Sequence, residues 1–348
     1  MKIFQINPLQ DPRWDQLVNS HPRASVFHST DWISAICRTY DYKPVVFTTS
    51  APSEKLRNGI AFCHIKSWLT GQRLVSMPFS DHCEPLFESP EEFDFIVRNL
   101  PTSSEIPEAK YFELRPRHDC FTGNDDGGFK PYQRYYLHCA DLSPSLETLF
   151  RSFDKASVQR RVRRAETMGL TEQCGNPQQL LKPFYHLMGL TRIRHQLPPQ
   201  PYLWFQNLID ILGDSITIRV AYSGNLPVSA ILTLRFRDVA YYKYGCSDAK
   251  YNSLGATPFL LWNAICDAKA KGAKTFDLGR TDLDQPGLLN FKNHWTPNPE
   301  QLVYWRYPES SSHSTASGWK MKLMKNAFGH MPQGALEATG KFLYRHIG

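Results

Sequence analysis

Hydrophobic and polar positions alternate in short blocks along the whole 348-residue chain. Period-two or continuous apolar blocks predict strands at 43–49, 59–68, 73–80, 110–117, 132–142, three within 215–247, 273–279 and 301–307. Apolar residues at helical spacing predict helices at 27–40, 89–100, 145–153, 155–170, 180–195, 201–213 and 258–272. Because strands and helices alternate within each half, we expect an α/β (α+β) fold with a mixed sheet.

Local signals refine two of these elements. Thr257 followed by Pro258 predicts a helix N-cap with proline at the first helical position, and Gly272 predicts the end of that helix. In the strand that precedes it, period-two alternation places Tyr242 and Tyr244 on the same face.

The length is too great for one compact core and suits two domains. We predict an N-terminal domain over 1–143, a C-terminal domain over 144–308, and a polar linker with a basic tail over 309–348. Two amphipathic helices are predicted in the tail, at 319–328 and 335–348. From residue 311 onward the tail has five basic residues and one acidic residue. A basic amphipathic tail can bind an anionic membrane, bind RNA, or pack back on the two domains. We favour packing on the domains.

Charge and cysteine usage narrow the function classes. Forty basic residues against 33 acidic ones give a net charge of +7, which favours phosphate-bearing partners but is too small for a dedicated nucleic-acid coat. Eight cysteines without a C-x-x-C pair, and no apolar run of signal-peptide or membrane length, favour a cytoplasmic protein with reduced thiols. No metal is expected, since the His–Cys neighbours lack the spacing of a zinc site.

Common catalytic signatures are missing from the sequence, which disfavours nucleotide hydrolysis, dinucleotide redox chemistry, serine hydrolysis and zinc proteolysis. A basic helix carries Arg160, Arg163 and Arg164 on one face, with a shape suited to phosphate oxygens, although a solvated charged face has the same pattern. Lys292 lies between Phe291 and Trp295 and could stabilise an oxyanion in a partly dry cleft, or could be a surface lysine.

The order and spacing of several motifs carry a family resemblance. They are K-x-S-V-Q-R-R-V-R-R-A-E-x-x-G-L (155–170), F-Y-x-L-x-x-x-T-R-x-R-H (184–195), Y-K-Y-G-C-S-D (242–248), L-L-W-N-A-I-x-x-A-K-x-x-G (260–272), F-D-L-G-R (276–280) and G-L-L-N-F-K-N-H-W (287–295). Together they resemble the Fem-type peptidoglycan-bridge aminoacyltransferases and related GNAT-fold N-acyltransferases. The resemblance implies tandem GNAT-like domains with a central cleft and transfer of an acyl group onto an amine.

The resemblance also implies roles for single residues. It makes Lys292 the residue that stabilises the tetrahedral intermediate, and it matches Tyr244, a further catalytic candidate, to the family's Y-x-Y-G strand. Asp81 and Asp277 are the candidate bases, and Asp277 is equally well explained as a structural cap. The candidate substrate-binding residues are Arg160, Arg163, Arg164, Arg192, Tyr242, Ser247, Asp248 and Arg280, of which the resemblance implies Arg192 and Tyr242. No residue is expected to bind a metal.

We therefore expect an N-acyltransferase that uses aminoacyl-tRNA or acyl-CoA as its donor, with no permanently bound cofactor. The expected acceptor is an amine on a phosphate-bearing, cell-wall, exopolysaccharide or peptide molecule. The sequence lacks the long helical arm of many tRNA-using relatives, and residues 252–257 match the CoA-binding Q/R-x-x-G-x-G/A motif only in part. The alternatives are an acyl-CoA-dependent amine acetyltransferase and a non-catalytic RNA- or membrane-associated protein. The expected location is the cytoplasm, and the basic tail offers a contact with the inner face of the membrane.

Overall fold

The structure is a computed structural model that describes residues 1–103, 109–121, 127–175, 177–308 and 333–347. Its strands are β1 (Phe4–Ile6), β2 (Lys43–Thr48), β3 (Ile60–Ser67), β4 (Gly71–Val75), β5 (Ala109–Leu114), β6 (Lys130–Asp141), β7 (Thr171–Gly175), β8 (Ile216–Ser223), β9 (Leu226–Phe236), β10 (Val239–Ser247), β11 (Thr275–Asp282) and β12 (Glu300–Tyr307). Its helices are α1 (Pro12–Ser20), α2 (Thr30–Tyr40), α3 (Pro90–Ser103), α4 (Leu146–Ser152), α5 (Arg160–Thr167), α6 (Pro177–Arg194), α7 (Tyr202–Leu212), α8 (Ala256–Ala270), α9 (Pro286–Asn293) and α10 (Gln333–Ile347).

The chain divides into two compact units. Of the described residues, the first unit comprises those within 1–134, 302–308 and 342–347, and the second comprises those within 135–301 and 333–341. The sequence placed these boundaries at 143/144 and 308/309 instead. Strand pairing explains the difference, because β12 pairs with β5 of the first unit, whereas the end of β6 pairs with β11 of the second.

The first unit is built on six strands in the order β1-β2-β3-β4-β5-β12. Neighbouring strands are antiparallel except for β4 and β5, which are parallel. Helix α2, within the predicted 27–40, begins where the Ser29 side chain accepts a hydrogen bond from the Trp32 main-chain N–H. Strand β4 ends at Val75, earlier than the predicted residue 80, because Met77 and Phe79 have φ angles of 43° and 62°, which no strand contains.

The second unit has the strand order β6-β11-β10-β9-β8-β7, in which only β10 and β11 are parallel. One face of this sheet packs against α4, α5 and α8 through a single apolar cluster that includes Val162, Leu261 and Phe276. The other face packs against α6 and α7, where the Phe205 ring lies 5.2 Å from the Tyr244 ring. The mixed α/β prediction is therefore confirmed.

A register shift in β10 overturns the predicted alternation of its tyrosines. Pairing with β9 shifts between Tyr242 and Tyr244, which marks a bulge. Tyr242 consequently packs on the α8 face of the sheet, whereas Tyr244 packs against α7 on the opposite face. The expectation that both side chains share one face is therefore wrong.

The predicted amphipathic helix at 335–348 corresponds to α10, while the predicted helix at 319–328 lies outside the described residues. Leu336 of α10 is fully buried, and the main-chain oxygen of Tyr344 accepts a 2.8 Å hydrogen bond from the Tyr42 hydroxyl. The described part of the tail thus packs on the body. Among the described helices, we find none with the length and apolarity needed to cross a bilayer.

Candidate functional site

A cavity of about 370 Å³ opens in the second unit, where residues from the α5 and α8 side of the sheet meet the end of α6. Its walls come from the end of α6, the bulged part of β10, the first turn of α8, and α9. Its lining includes polar and basic side chains: Ser157, Arg161, Thr191, Arg194, His195, Ser229, Ser247, Asn252, Asn290 and His294.

The first turn of α8 forms one wall of the cavity. The helix is capped by Gly255 in a left-handed conformation (φ 81°), not by Thr257 as the sequence suggested. A Cβ atom on Gly255 would lie 2.3 Å from the main-chain oxygen of Arg161, so only glycine allows the loop to approach α5 this closely. Thr257 instead bonds through its hydroxyl to Ser229, at 2.8 Å.

The main-chain N–H groups of Ala256 and Thr257 precede the first intrahelical hydrogen bond, which runs from Phe259 to Gly255. Both residues line the cavity. Unpaired N–H groups and the positive end of the helix dipole make this wall suited to a phosphate or an oxyanion.

Arg161 is the arginine of the basic segment that reaches the cavity. Val158, just before α5, and Val162 and Ala165 within it are buried, and they fix which side of α5 faces the core. The candidates Arg160, Arg163 and Arg164 are all exposed and lie outside the cavity lining, and Arg163 stacks over the Phe150 ring, 5.7 Å from its centroid.

Further basic groups come from the end of α6. Arg194 donates a 3.2 Å hydrogen bond to the main-chain oxygen of Ser247, and both residues line the cavity with His195. Partial burial, together with the nearby charges of Arg194 and Arg192, lowers the pKa of His195. Sequence reasoning missed Arg161, Arg194 and His195, although all three lie inside the quoted motifs.

Tyr242 presents its phenol ring to the cavity. A Cβ atom on Gly245 would lie 1.7 Å from the Tyr242 hydroxyl oxygen, so this glycine makes room for the ring. Burial raises the pKa of Tyr242. The phenol is therefore neutral near pH 7 and can donate a hydrogen bond to a ligand.

Tyr244 lies on the other face of the sheet, away from the cavity. Its hydroxyl accepts 2.9 Å hydrogen bonds from Gln200 Nε2 and Trp204 Nε1. These contacts tie β10 to α7. The two tyrosines that the sequence grouped are thus separated by the bulge.

Lys292 is only 3% exposed, and its side chain turns toward β11. Its ammonium donates 2.7 Å hydrogen bonds to the main-chain oxygens of Gly279 and Arg280. Both carbonyls lie where β11 interrupts its pairing with β6, and Gly279 there has φ 74°. Lys292 does not line the cavity, although its neighbours Asn290 and Phe291 do.

Other predicted site residues have structural contacts. Ser247 lines the cavity and donates to Asn252 Oδ1 at 3.1 Å, whereas the Asp248 carboxylate accepts from the Lys250 main-chain N–H at 3.0 Å and caps the next turn. The Arg280 guanidinium lies 4.2 Å from the Tyr135 ring centroid. Arg192 is half-buried, and its Nε has no hydrogen-bond partner within the described structure.

The two candidate bases lie in different units. Asp277, in the second unit, is buried and accepts a 2.6 Å hydrogen bond from the Gly279 main-chain N–H. Asp81 belongs to the first unit, where its main-chain oxygen accepts a 2.6 Å hydrogen bond from the Tyr304 hydroxyl. Across the described ranges, no three His, Cys, Asp or Glu side chains are grouped as metal ligands.

Comparisons with known proteins agree with this architecture. Residues 152–293 match the family model described as an acetyltransferase (GNAT) domain. A search of curated protein sequences gave no match.

Three solved structures share the fold. FemX is similar with a TM-score of 0.67 at 16% identity, covering 88% of this chain and 97% of FemX. L-PGS from Bacillus licheniformis gives a TM-score of 0.58 at 15% identity over 92% of this chain and 98% of its own. A tandem GNAT protein from the clavulanic acid biosynthesis pathway gives 0.53 at 9% identity over 88% and 97%. These likenesses confirm the expected tandem GNAT-like fold and the resemblance to Fem-type proteins at the level of the fold.

Proposed function

We propose that this chain is an N-acyltransferase, since its residues 152–293 match an acetyltransferase (GNAT) domain, and that it transfers an aminoacyl group from aminoacyl-tRNA to an amine. The proposed acceptor is a cell-wall, exopolysaccharide or peptide molecule. The observation that carries this proposal is the cavity, which combines a helix N-terminus, the basic side chains Arg161 and Arg194, and the neutral phenol of Tyr242.

The donor's phosphate is proposed to lie against the first turn of α8. The N–H groups of Ala256 and Thr257 are available there, and Arg161 and Arg194 supply positive charge on neighbouring walls. A guanidinium forks onto two phosphate oxygens and strengthens binding through charge-assisted hydrogen bonds. The exposed Arg160, Arg163 and Arg164 are then proposed to attract the nucleic acid at longer range.

The reaction joins a neutral amine to an ester carbonyl. The amine nitrogen forms a bond to the carbonyl carbon, the carbonyl oxygen becomes an oxyanion, and the intermediate then expels the donor's hydroxyl with the amine proton. Hydrogen-bond donors that are already in place lower the barrier most, and the Tyr242 hydroxyl is such a donor in the cavity.

Lys292 is proposed as the second oxyanion-stabilising group. In this structure its ammonium is bonded to the oxygens of Gly279 and Arg280. For the catalytic role, the ammonium must exchange one of these carbonyl acceptors for the developing oxyanion. Asp81 is kept as the proposed base that accepts the amine proton and passes it to the departing donor oxygen, with Asp277 as the alternative.

An acyl-CoA donor is the second candidate, and a specific observation favours it. The strand–loop–helix path from β10 through Gly255 into α8 offers N–H groups to a pyrophosphate, as acetyl-CoA-using GNAT enzymes require. The sequence lacks the leading Gln or Arg of the motif, but Arg161 brings a guanidinium to the same cavity from α5.

The test offers the purified protein labelled aminoacyl-tRNA and acetyl-CoA side by side. Binding to each donor and transfer to amine acceptors are measured for the wild type, for Arg161→Gln and for the matched control Arg160→Gln. The proposal expects tRNA to bind and its aminoacyl group to be transferred. The dissociation constant should rise about tenfold or more in Arg161→Gln and much less in Arg160→Gln, whose exposed charge acts only at longer range.

Each alternative outcome has a defined meaning. Binding and turnover of acetyl-CoA without any tRNA effect establishes the second candidate. Turnover of neither donor contradicts both. Equal losses in the Arg160 and Arg161 variants would show that general charge, and not the cavity, holds the donor.

The proposed location is the cytoplasm, at the inner face of the membrane. The basic tail was the first reason to expect membrane contact, and the described part of that tail, α10, packs on the body.

A further inference from the structure

Three exposed apolar side chains adjoin one another on the first unit. Trp68 and Leu69, in the turn between β3 and β4, are 77% and 51% exposed, and Phe342 of α10 is 51% exposed. The Trp68 and Phe342 rings lie 6.2 Å apart. We call these three residues the apolar tip. Single exposed apolar residues are common, whereas adjacent ones that include a tryptophan are typical of a contact surface.

A polar network holds the turn that carries the apolar tip. The Ser67 hydroxyl accepts hydrogen bonds from the main-chain N–H groups of Leu69 and Thr70, at 3.1 and 3.0 Å. Buried Arg73 donates to the Thr70 hydroxyl at 2.6 Å and to the His346 main-chain oxygen at 2.7 Å. Because these hydrogen bonds fix the backbone of the turn, Trp68 and Leu69 stay exposed in the native structure and do not fold back onto the core.

Positive charge borders the apolar tip. Lys66 and Lys110 are both exposed, and Lys110 Nζ lies 3.2 Å from the Thr70 main-chain oxygen, directly beside the turn. Neither lysine forms an ion pair with any described carboxylate. Arg345 of α10 adds a further guanidinium, which pairs with Asp41 at 3.0 Å. The surroundings of the apolar tip therefore favour an anionic surface.

We propose that the apolar tip inserts into the interfacial layer of an anionic phospholipid bilayer. An indole ring suits the boundary between headgroups and acyl chains, and nearby lysines then face lipid phosphates. A stable protein dimer needs about 800 Å² per partner. Three side chains provide much less than that, but they suffice for shallow membrane anchoring assisted by charge.

The test is co-sedimentation of the full chain with vesicles. One set contains phosphatidylcholine alone, and the other contains equal parts of phosphatidylcholine and phosphatidylglycerol. We expect binding to the mixed vesicles, weakened about tenfold in Trp68→Ser and about fivefold in Lys66→Gln. The matched control is Met168→Ser, which removes a 55% exposed apolar side chain in the second unit and should bind as the wild type does.

Thermal unfolding of each variant confirms that it is folded. The proposal is overturned if the wild type does not co-sediment with the mixed vesicles, or if Trp68→Ser binds them as tightly as the wild type does. It is also overturned if the wild type forms a Trp68-dependent dimer and does not bind vesicles. None of these measurements involves acyl transfer. A failure of the membrane proposal therefore leaves the proposed reaction untouched, and a failure of the proposed reaction leaves the membrane proposal untouched.

Discussion

Replacing Lys292 by alanine tests two roles of this side chain at once. Its ammonium is buried and donates two 2.7 Å hydrogen bonds to main-chain oxygens of the irregular part of β11. The substitution leaves both carbonyls without this donor, at about 1–3 kcal/mol each, and the gain from no longer burying a charge offsets part of the loss.

We therefore expect Lys292→Ala to lower the free energy of unfolding by about 3 kcal/mol. For a unit of this size, that corresponds to a fall in Tm of about 6–12 °C. Urea denaturation followed by circular dichroism measures the change. The control is Lys274→Ala, which removes an exposed lysine paired with Asp238 at 3.4 Å and should change stability by less than about 0.5 kcal/mol.

Acyl transfer is then measured well below the Tm of the variant, where Lys292→Ala is folded. Loss of turnover under those conditions supports the proposed catalytic role. Turnover at the wild-type rate would remove that role and leave Lys292 as a structural residue of β11. An unfolding free energy equal to that of the wild type would refute the reasoning about its buried hydrogen bonds.

Two further predictions concern pH and the cavity. Burial lowers the pKa of His28 from 6.5 to about 4, so stability is complete above pH 6.5 and falls as the unfolded state gains a proton toward pH 4. Urea denaturation should show about 2 kcal/mol less stability at pH 5 than at pH 7, and an undiminished pH dependence in His28→Asn would contradict the assignment. Gly245→Ala should displace the Tyr242 side chain, because the added Cβ would lie 1.7 Å from the present position of the Tyr242 hydroxyl oxygen. Transfer should then fall as far as it does in Tyr242→Phe, and normal kinetics in both variants would exclude the phenol from the reaction.

Local sequence determined much of the fold. The Ser29 cap, the paired strands β8 to β10, the end of α8 before Gly272 and the amphipathic helix α10 all follow from short-range patterns. Each depends on residues that lie within a turn or two of each other, so periodicity and capping identify them. The order of the motifs also indicated the GNAT-type family that residues 152–293 match.

The hydrophobic pattern did not predict several short or polar elements. Strand β7 (Thr171–Gly175) is mostly exposed, and only its pairing with β8 makes it a strand. Strand β1 has three residues, too few for a period to register. Helices α1 and α9 were also not foreseen.

The arrangement of the site was decided by tertiary contacts. Helical spacing grouped Arg160, Arg163 and Arg164, but the packing of Val162 turns Arg161 to the cavity. A bulge places Tyr242 and Tyr244 on opposite faces of the sheet. The irregular part of β11 at Gly279 leaves a main-chain oxygen that accepts a hydrogen bond from Lys292. Periodicity shows which positions are buried. It does not show which residues pack against them, because those residues come from distant parts of the chain. The sequence therefore determined most of the longer elements and indicated the resemblance to GNAT-type proteins, and only the folded structure decided which side chains meet.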